Sequence, residues 1–125
     1  MPVMPHTVTD LQRLAQDWYD GWNAHDLDAV VSHYAEDIVF TSPFAAKLDA
    51  SADGVVTGKP ALRAYWSTAL ARFPDLRFEP IAQLYGVGSV TLHYRSVQGM
   101  LAAEVLEVGD DGLIHRALAH YDRRP

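Results

Sequence analysis

The hydrophobic period of this chain changes near Leu76, from three or four residues to two, and that change limits the class of fold it can adopt. Before it, Leu11, Leu14, Ala15, Trp18, Tyr19 and Trp22 recur at helical spacing and make one face of an amphipathic helix. Thr9 followed by Gln12 reads as a capping box at its start. Asn23-Ala24-His25 breaks the pattern. Asp26 then caps a shorter helix in which Leu27, Val30, Val31 and Tyr34 share a face. "IVFTSPF" reads as a strand stopped by Pro43. Residues 45–59, "AAKLDASADGVVTGK", predict a long loop with room for a short strand at Val55-Val56-Thr57. Gly58-Lys59-Pro60 opens a third helix, whose apolar face of Leu62, Tyr65, Trp66, Ala69, Leu70 and Phe73 is ended by Pro74.

From Leu76 onward "LRFEPIAQLYG", "SVTLHYRSV", "MLAAEVLEV" and "LIHRALAHYD" are four strand-like runs separated by turn residues. Pro80 inside the first predicts a bulge or an edge position. Gln98-Gly99 and Gly109-Asp110-Asp111-Gly112 are hairpin signals. Helices followed by an antiparallel meander make an α+β layout, with helices on one side of a curved sheet. With 125 residues and no internal repeat, residues 1–125 fit one domain.

Composition narrows the partners. A formal charge of -6 offers no basic stripe for nucleic acid. No apolar run reaches the ~20 residues that span a bilayer, and "MPVMPHTVTD" lacks the basic and apolar regions of a secretory leader. With no cysteine there is neither a disulfide framework nor a thiolate metal site, so a cytoplasmic location is expected. The histidines lack metal-ligand spacing, and no phosphate-cradling loop, nucleophile elbow or dinucleotide fingerprint is present. The chain is expected to work without metal or cofactor.

Three segments carry a family resemblance: "WNAHDLDAVVSHYAEDIVFTSPF", "GKPALRAYW" and "EVLEVGDDGLIHRALAHYD". In this order they resemble the nuclear transport factor 2-like superfamily, in its SnoaL-like and ketosteroid isomerase-like branch. The resemblance covers nearly the whole chain. It implies a cone-shaped, curved antiparallel sheet wrapped around three N-terminal helices, with a central pocket. It does not imply one reaction, because the superfamily includes isomerases, dehydratases, cyclases, epoxide hydrolases and proteins that only bind. The isomerases' general-base aspartate corresponds here to Ser42, whose hydroxyl cannot take a substrate proton unaided. Their oxyanion-hole tyrosine corresponds to Trp18, a much weaker acid. Their third element, an acid on the strand before the last turn, corresponds to Glu104. Steroid isomerase chemistry is therefore not expected.

Alternation places Ala102, Glu104, Leu106 and Val108 on one face of their strand, and the small alanine suits that face to a pocket. Glu104 is then a carboxyl in an apolar cavity, usable as an acid or base; the plainer reading is a structural ion pair. Its neighbours depend on hairpin register. A two-residue Gln98-Gly99 turn puts His93 opposite Glu104 and Arg95 opposite Ala102, so that the three form a candidate catalytic cluster. A slip of one residue puts Tyr94 opposite Glu104 and turns Leu92 and Tyr94 inward. The tight turn favours the first register and hydrophobic burial the second. Trp18, Tyr34, Phe40, Ser42, Trp66, Tyr94, Ala117 and Tyr121 are the candidate ligand contacts, although most such aromatics serve the core. His115, Ala117, Ala119 and Tyr121 share a face of the last strand. His25, His33 and His120 read as capping or structural residues.

Three classes of function fit these residues. One is a cofactor-independent enzyme moving a proton on a small hydrophobic molecule. The second is a non-catalytic binder of such a molecule. The third is a structural domain, a homodimer through the outer face of the sheet, with its pocket filled by side chains.

Overall fold

The computed structural model describes residues 7–48 and 50–125. The opening "MPVMPH", where no leader was read, and Asp49 of the 45–59 segment lie outside the described residues. The first helix, α1, spans Val8–Asn23, and its cap is Thr7, two residues before the expected Thr9. Thr7 Oγ1 accepts from Asp10 N at 3.1 Å, and the Asp10 carboxylate accepts from Thr7 N at 3.2 Å. An acid in the first turn satisfies an orphan donor and faces the positive end of the helix dipole, which the Thr9–Gln12 pair could not do as well.

Helix α2, Leu27–Val31, is capped as expected, with Asp26 accepting from Ala29 N at 3.1 Å. Tyr34 is not part of its face; it opens strand β1, Tyr34–Thr41. The expected loop over 45–59 instead begins in a short helix, α3, Pro43–Lys47, with Ser42 as N-cap and Pro43 at its first position. Strand β2 is Val55–Thr57, and α4 is Lys59–Arg72. There are thus four helices among the described residues rather than three.

The strands β3 (Glu79–Tyr85), β4 (Ser89–Arg95), β5 (Leu101–Val108) and β6 (Ile114–Tyr121) follow as the period-two pattern predicts. The sheet order is β2-β1-β6-β5-β4-β3. All neighbours are antiparallel except β1 and β6, so the sheet is mixed rather than wholly antiparallel. Most of the chain separates β1 from β6, and no hairpin constrains their direction. The register shifts between Pro80 and Ala82, the irregularity that a strand proline predicts.

Helices α1 and α4 bury their aromatic faces against one side of this curved, unclosed sheet. Trp18 stacks on Phe78 with ring centroids 5.5 Å apart, and Trp22 meets Trp66 edge-on at 4.9 Å. The "NAH" break ties the helices to the sheet. Asn23 exchanges two hydrogen bonds with the Phe78 backbone, at 3.0 and 2.7 Å, and His25 Nε2 meets Leu76 O at 2.8 Å. His25 adopts φ 55° to make that turn, so its role is structural.

Candidate functional site

The β4–β5 turn positions the site. It contains three residues, Val97–Gly99, closed by Ser96 N donating to Met100 O at 2.7 Å. Gln98 and Gly99 both take left-handed backbone, φ 56° and 70°. Leu92 therefore lies opposite Glu104, His93 opposite Ala103, Tyr94 opposite Ala102 and Arg95 opposite Leu101. Neither register expected from sequence occurs. The favoured one fails because the turn has one more residue than Gln98-Gly99 alone, and an odd slip exchanges faces. His93 and Arg95 consequently lie on the outer face and form no cluster with Glu104. Arg95 is exposed and donates to Gly99 O at 2.9 Å. The slipped register had the face right but the partner wrong: Leu92 and Tyr94 do turn inward, with Tyr94 a diagonal neighbour of Glu104. Burying Leu92 and Tyr94 releases far more apolar surface from water than burying an imidazole and a guanidinium would.

Glu104 is 3% exposed. Tyr94 OH donates to its Oε1 at 3.2 Å, while its Oε2 has no hydrogen-bond partner among the described residues. Burial pushes its pKa up to about 8, and the bond from Tyr94 offsets only part of that rise. At neutral pH this is mostly a protonated carboxylic acid. Because Oε1 already accepts from Tyr94, the proton belongs on Oε2. Three phenols lie around it, Tyr94 and Tyr65 buried and Tyr121 half-buried. Burial raises the pKa of Tyr94, Tyr121 and Tyr65 in turn, with the nearby Glu104 charge adding to each rise. All three stay neutral near pH 7. The Ser42 hydroxyl is in polar contact with both Tyr65 and Tyr121, and Tyr121 also with Tyr94. Ser42 Oγ accepts from Phe44 N at 3.2 Å as the cap of α3.

Of the eight expected ligand contacts, Trp18, Phe40, Trp66, Tyr94 and Tyr121 line one cavity with Glu104. Tyr34, Ser42 and Ala117 sit behind its wall. Tyr34 OH accepts from Trp18 Nε1 at 3.0 Å, so the indole N–H that corresponds to the isomerases' oxyanion donor is already engaged. Ala117 is fully buried in the sheet between Phe40 and Leu106. His115 does not share the inward face, because the register shifts between Glu107 and Val108. It pairs instead with Asp111 at 2.9 Å and Asp37 at 3.4 Å.

Sequence reasoning left Trp22, Tyr65 and Phe44 open between pocket wall and core and did not name Phe78; all four line the cavity. Trp22 is the notable one, since its indole Nε1 is buried without a partner among the described residues. It lies on the same helical face as Trp18, but only the seating of α1 on the sheet separates a cavity wall from ordinary core.

The cavity itself is about 50 Å³. It adjoins an open groove of about 390 Å³ lined by Arg72, Asp75, Arg77 and Gln98, and the two share Phe73, Leu76, Ser96 and Val97. No group of three His, Asp or Glu side chains among the described residues is arranged to hold a metal ion.

Comparison with known proteins assigns the family. The SnoaL-like domain model matches residues 15–117. A SnoaL-like protein of unknown function from Burkholderia thailandensis E264 is 45% identical, with a TM-score of 0.89 over 95% of this chain and 99% of that one. A Kribbella flavida DSM 17836 protein with a provisional ketosteroid isomerase assignment shares 20% identity. Its TM-score is 0.70 over 92% of this chain and 79% of its own. A provisional polyketide cyclase from Sinorhizobium meliloti shares 16% identity, with a TM-score of 0.72 over 92% of this chain and 100% of its own. At those identities the last two establish the fold alone. No curated protein matches the sequence. The match over most of the chain and the 45% identical structure agree with the cone fold described above: this chain belongs to the SnoaL-like family of the nuclear transport factor 2-like superfamily.

Proposed function

We propose that this chain is a small-molecule pocket protein whose Glu104 works as a neutral carboxylic acid on a mostly apolar ligand. The observation that carries this reading is the pairing of the carboxyl: Oε1 held by Tyr94 and Oε2 unpartnered, at the wall of an aromatic cavity. A protonated acid in a low-dielectric site donates a strong hydrogen bond to a ligand carbonyl, and the bond strengthens as negative charge develops on that oxygen. In a catalytic cycle the same group gives up its proton, a step that contributes roughly 10²–10⁴-fold. The reaction class is cofactor-independent proton transfer, as in an isomerase, cyclase, dehydratase or hydrolase. Steroid isomerisation does not suit the site, because Ser42 stands where a base is needed and the Trp18 N–H is bound to Tyr34.

Glu104→Gln tests the reading, since an amide keeps a hydrogen-bond donor but cannot transfer a proton. Loss of turnover with retained affinity identifies an enzyme. Unchanged turnover sinks the catalytic role, and binding without product from the wild-type protein identifies a binder. A carboxyl titration by carbon-13 NMR is the more direct check: a Glu104 pKa in the ordinary carboxylate range would remove the basis of the proposal.

A structural reading stands second, favoured by the size of the cavity, well below the ~300–1,000 Å³ of most ligand sites. It predicts that the protein leaves its cells with no small molecule attached. We further propose a cytoplasmic homodimer joined through the outer face of the sheet, with no nucleic-acid or membrane partner. Leu84, Thr91, Val105 and Leu118 form a cross-strand row on that face, and Leu84 is 62% exposed. Sedimentation of wild type against Leu84→Asp tests it; a monomeric wild type would end it.

A further inference from the structure

The inner cavity is too small to enclose a ligand. At about 50 Å³ it accepts a carbonyl and a few neighbouring atoms, and the remainder of the molecule must lie in the 390 Å³ groove that shares Phe73, Leu76, Ser96 and Val97 with it. The two compartments differ in charge. Among the described residues the inner wall has no cationic side chain and one carboxyl, Glu104. An anion placed there would lose its hydration with no counter-charge to replace it. The outer wall holds Arg72, at the end of α4, and Arg77, just before β3, with Asp75 between them. Both arginines are exposed, and neither makes an ion pair or hydrogen bond with any described residue. Two more arginines brace the turn that walls this groove: Arg95 donates to Gly99 O at 2.9 Å and Arg123 to Gln98 O at 2.5 Å. In a chain of formal charge -6, two of the ten basic side chains therefore line this one groove with their guanidinium groups unpaired among the described residues.

Building on the Glu104 reading, we propose that the ligand is an elongated carboxylate, its uncharged oxygen-bearing end inside at Glu104 and its anionic end outside at Arg72 and Arg77. A guanidinium matches a carboxylate with two parallel hydrogen bonds, and unpaired arginines are already free to make them. The groove side of Phe73, Leu76 and Val97 covers the apolar middle of the molecule. The same polarity steers approach, because an anion drawn to the arginines arrives with its apolar end toward the opening.

The test uses three probes titrated calorimetrically at pH 6.5: 4-(4-acetylphenyl)butanoate, the corresponding amide, and 4-(4-ethylphenyl)butanoate. The acid should bind wild type roughly five- to tenfold more tightly than its amide, the size two solvent-exposed ion pairs give. That preference should weaken with added salt and disappear in the Arg72→Gln, Arg77→Gln double variant, with amide affinity unchanged. Equal affinity for acid and amide, loss of both in the double variant, or no binding of either would overturn the carboxylate assignment. The ethyl compound separates the two ideas. If it binds as well as the ketone while the arginine effect persists, the Glu104 reading has failed and the groove assignment stands.

Discussion

The two faces of the β4–β5 hairpin are built from alternate residues of the same two strands, yet they have opposite fates. On the inner face Leu92, Tyr94, Ala102, Glu104 and Leu106 are all buried. On the outer face Thr91, His93, Leu101, Ala103 and Val105 are half-buried and Arg95 is exposed. The outer face carries the conventional ionisable groups, with water to solvate them. The inner face carries one carboxyl with no cation beside it. An ionisable group is shifted most where its solvation is poorest, so the less polar face is the one whose acid has its pKa raised to about 8.

The sharpest way to break that contrast is to remove one ring from each face. Tyr94→Ala should destabilise the protein by about 3–5 kcal/mol, the usual cost of deleting a buried aromatic. His93→Ala, one residue away, should stay within about 0.5 kcal/mol. Chemical denaturation of both variants measures the difference, and comparable losses would mean that the faces are misassigned.

The next effect is in the pH dependence of stability. Glu104 has a folded-state pKa raised to about 8, against 4.5 for an ordinary glutamate. The folded protein therefore holds a proton that the unfolded chain releases between those values. Its stabilising share is full below about pH 4.5 and is lost as pH rises through about 8. Denaturation midpoints taken from pH 5 to 9 should fall for wild type. For Glu104→Gln that component should vanish, and the variant should overtake wild type above pH 8. Parallel curves would show that Glu104 titrates normally.

A smaller change separates Tyr94 from the outer-face basic groups. Tyr94→Phe removes the one hydrogen bond that lowers the Glu104 pKa, so the pKa should rise further, with a stability loss of about 1 kcal/mol. The double variant His93→Ala, Arg95→Ala should leave that pKa where it is. NMR titration of the Glu104 carboxyl distinguishes them, and a pKa that responds to the outer pair instead would restore the polar cluster expected from sequence.

The smallest effect concerns the turn that sets the register. Gln98 occupies left-handed backbone at φ 56°, a conformation that costs a residue with a Cβ about 1 kcal/mol. Gln98→Gly should therefore stabilise the protein slightly, by about 0.5–1 kcal/mol less the entropy glycine adds to the unfolded chain. A clear loss of stability would indicate that Gln98 has packing interactions beyond its backbone.

The order of the longer elements and the inward face of β5 were legible from hydrophobic period, because periods of 3.6 and 2 are properties of local backbone geometry. Asp26 as a cap, Pro80 as an irregularity and Glu104 as a buried acid were legible for the same reason: each depends on residues close by in the chain. The short helix α3 was missed because a five-residue helix has too few turns to show a period, and its cap, Ser42, had been assigned to the preceding strand.

Sequence alone thus determined that a carboxyl lies on the buried side of an α+β sheet in this SnoaL-like chain. Only the tertiary structure decided its company. The three-residue turn chose Leu92 and Tyr94 over His93 and Arg95, through a slip of a single residue whose consequences alternate with each strand position. The seating of α1 on the sheet decided that Trp18 gives its N–H to Tyr34 while the Trp22 N–H has no hydrogen-bond partner among the described residues. The packing of α4 beside the β4–β5 turn brought Arg72, Arg77, Ser96 and Val97 to one opening. Those are contacts between residues far apart in the chain, set by which packing arrangement buries the most aromatic surface, and no local pattern encodes that choice.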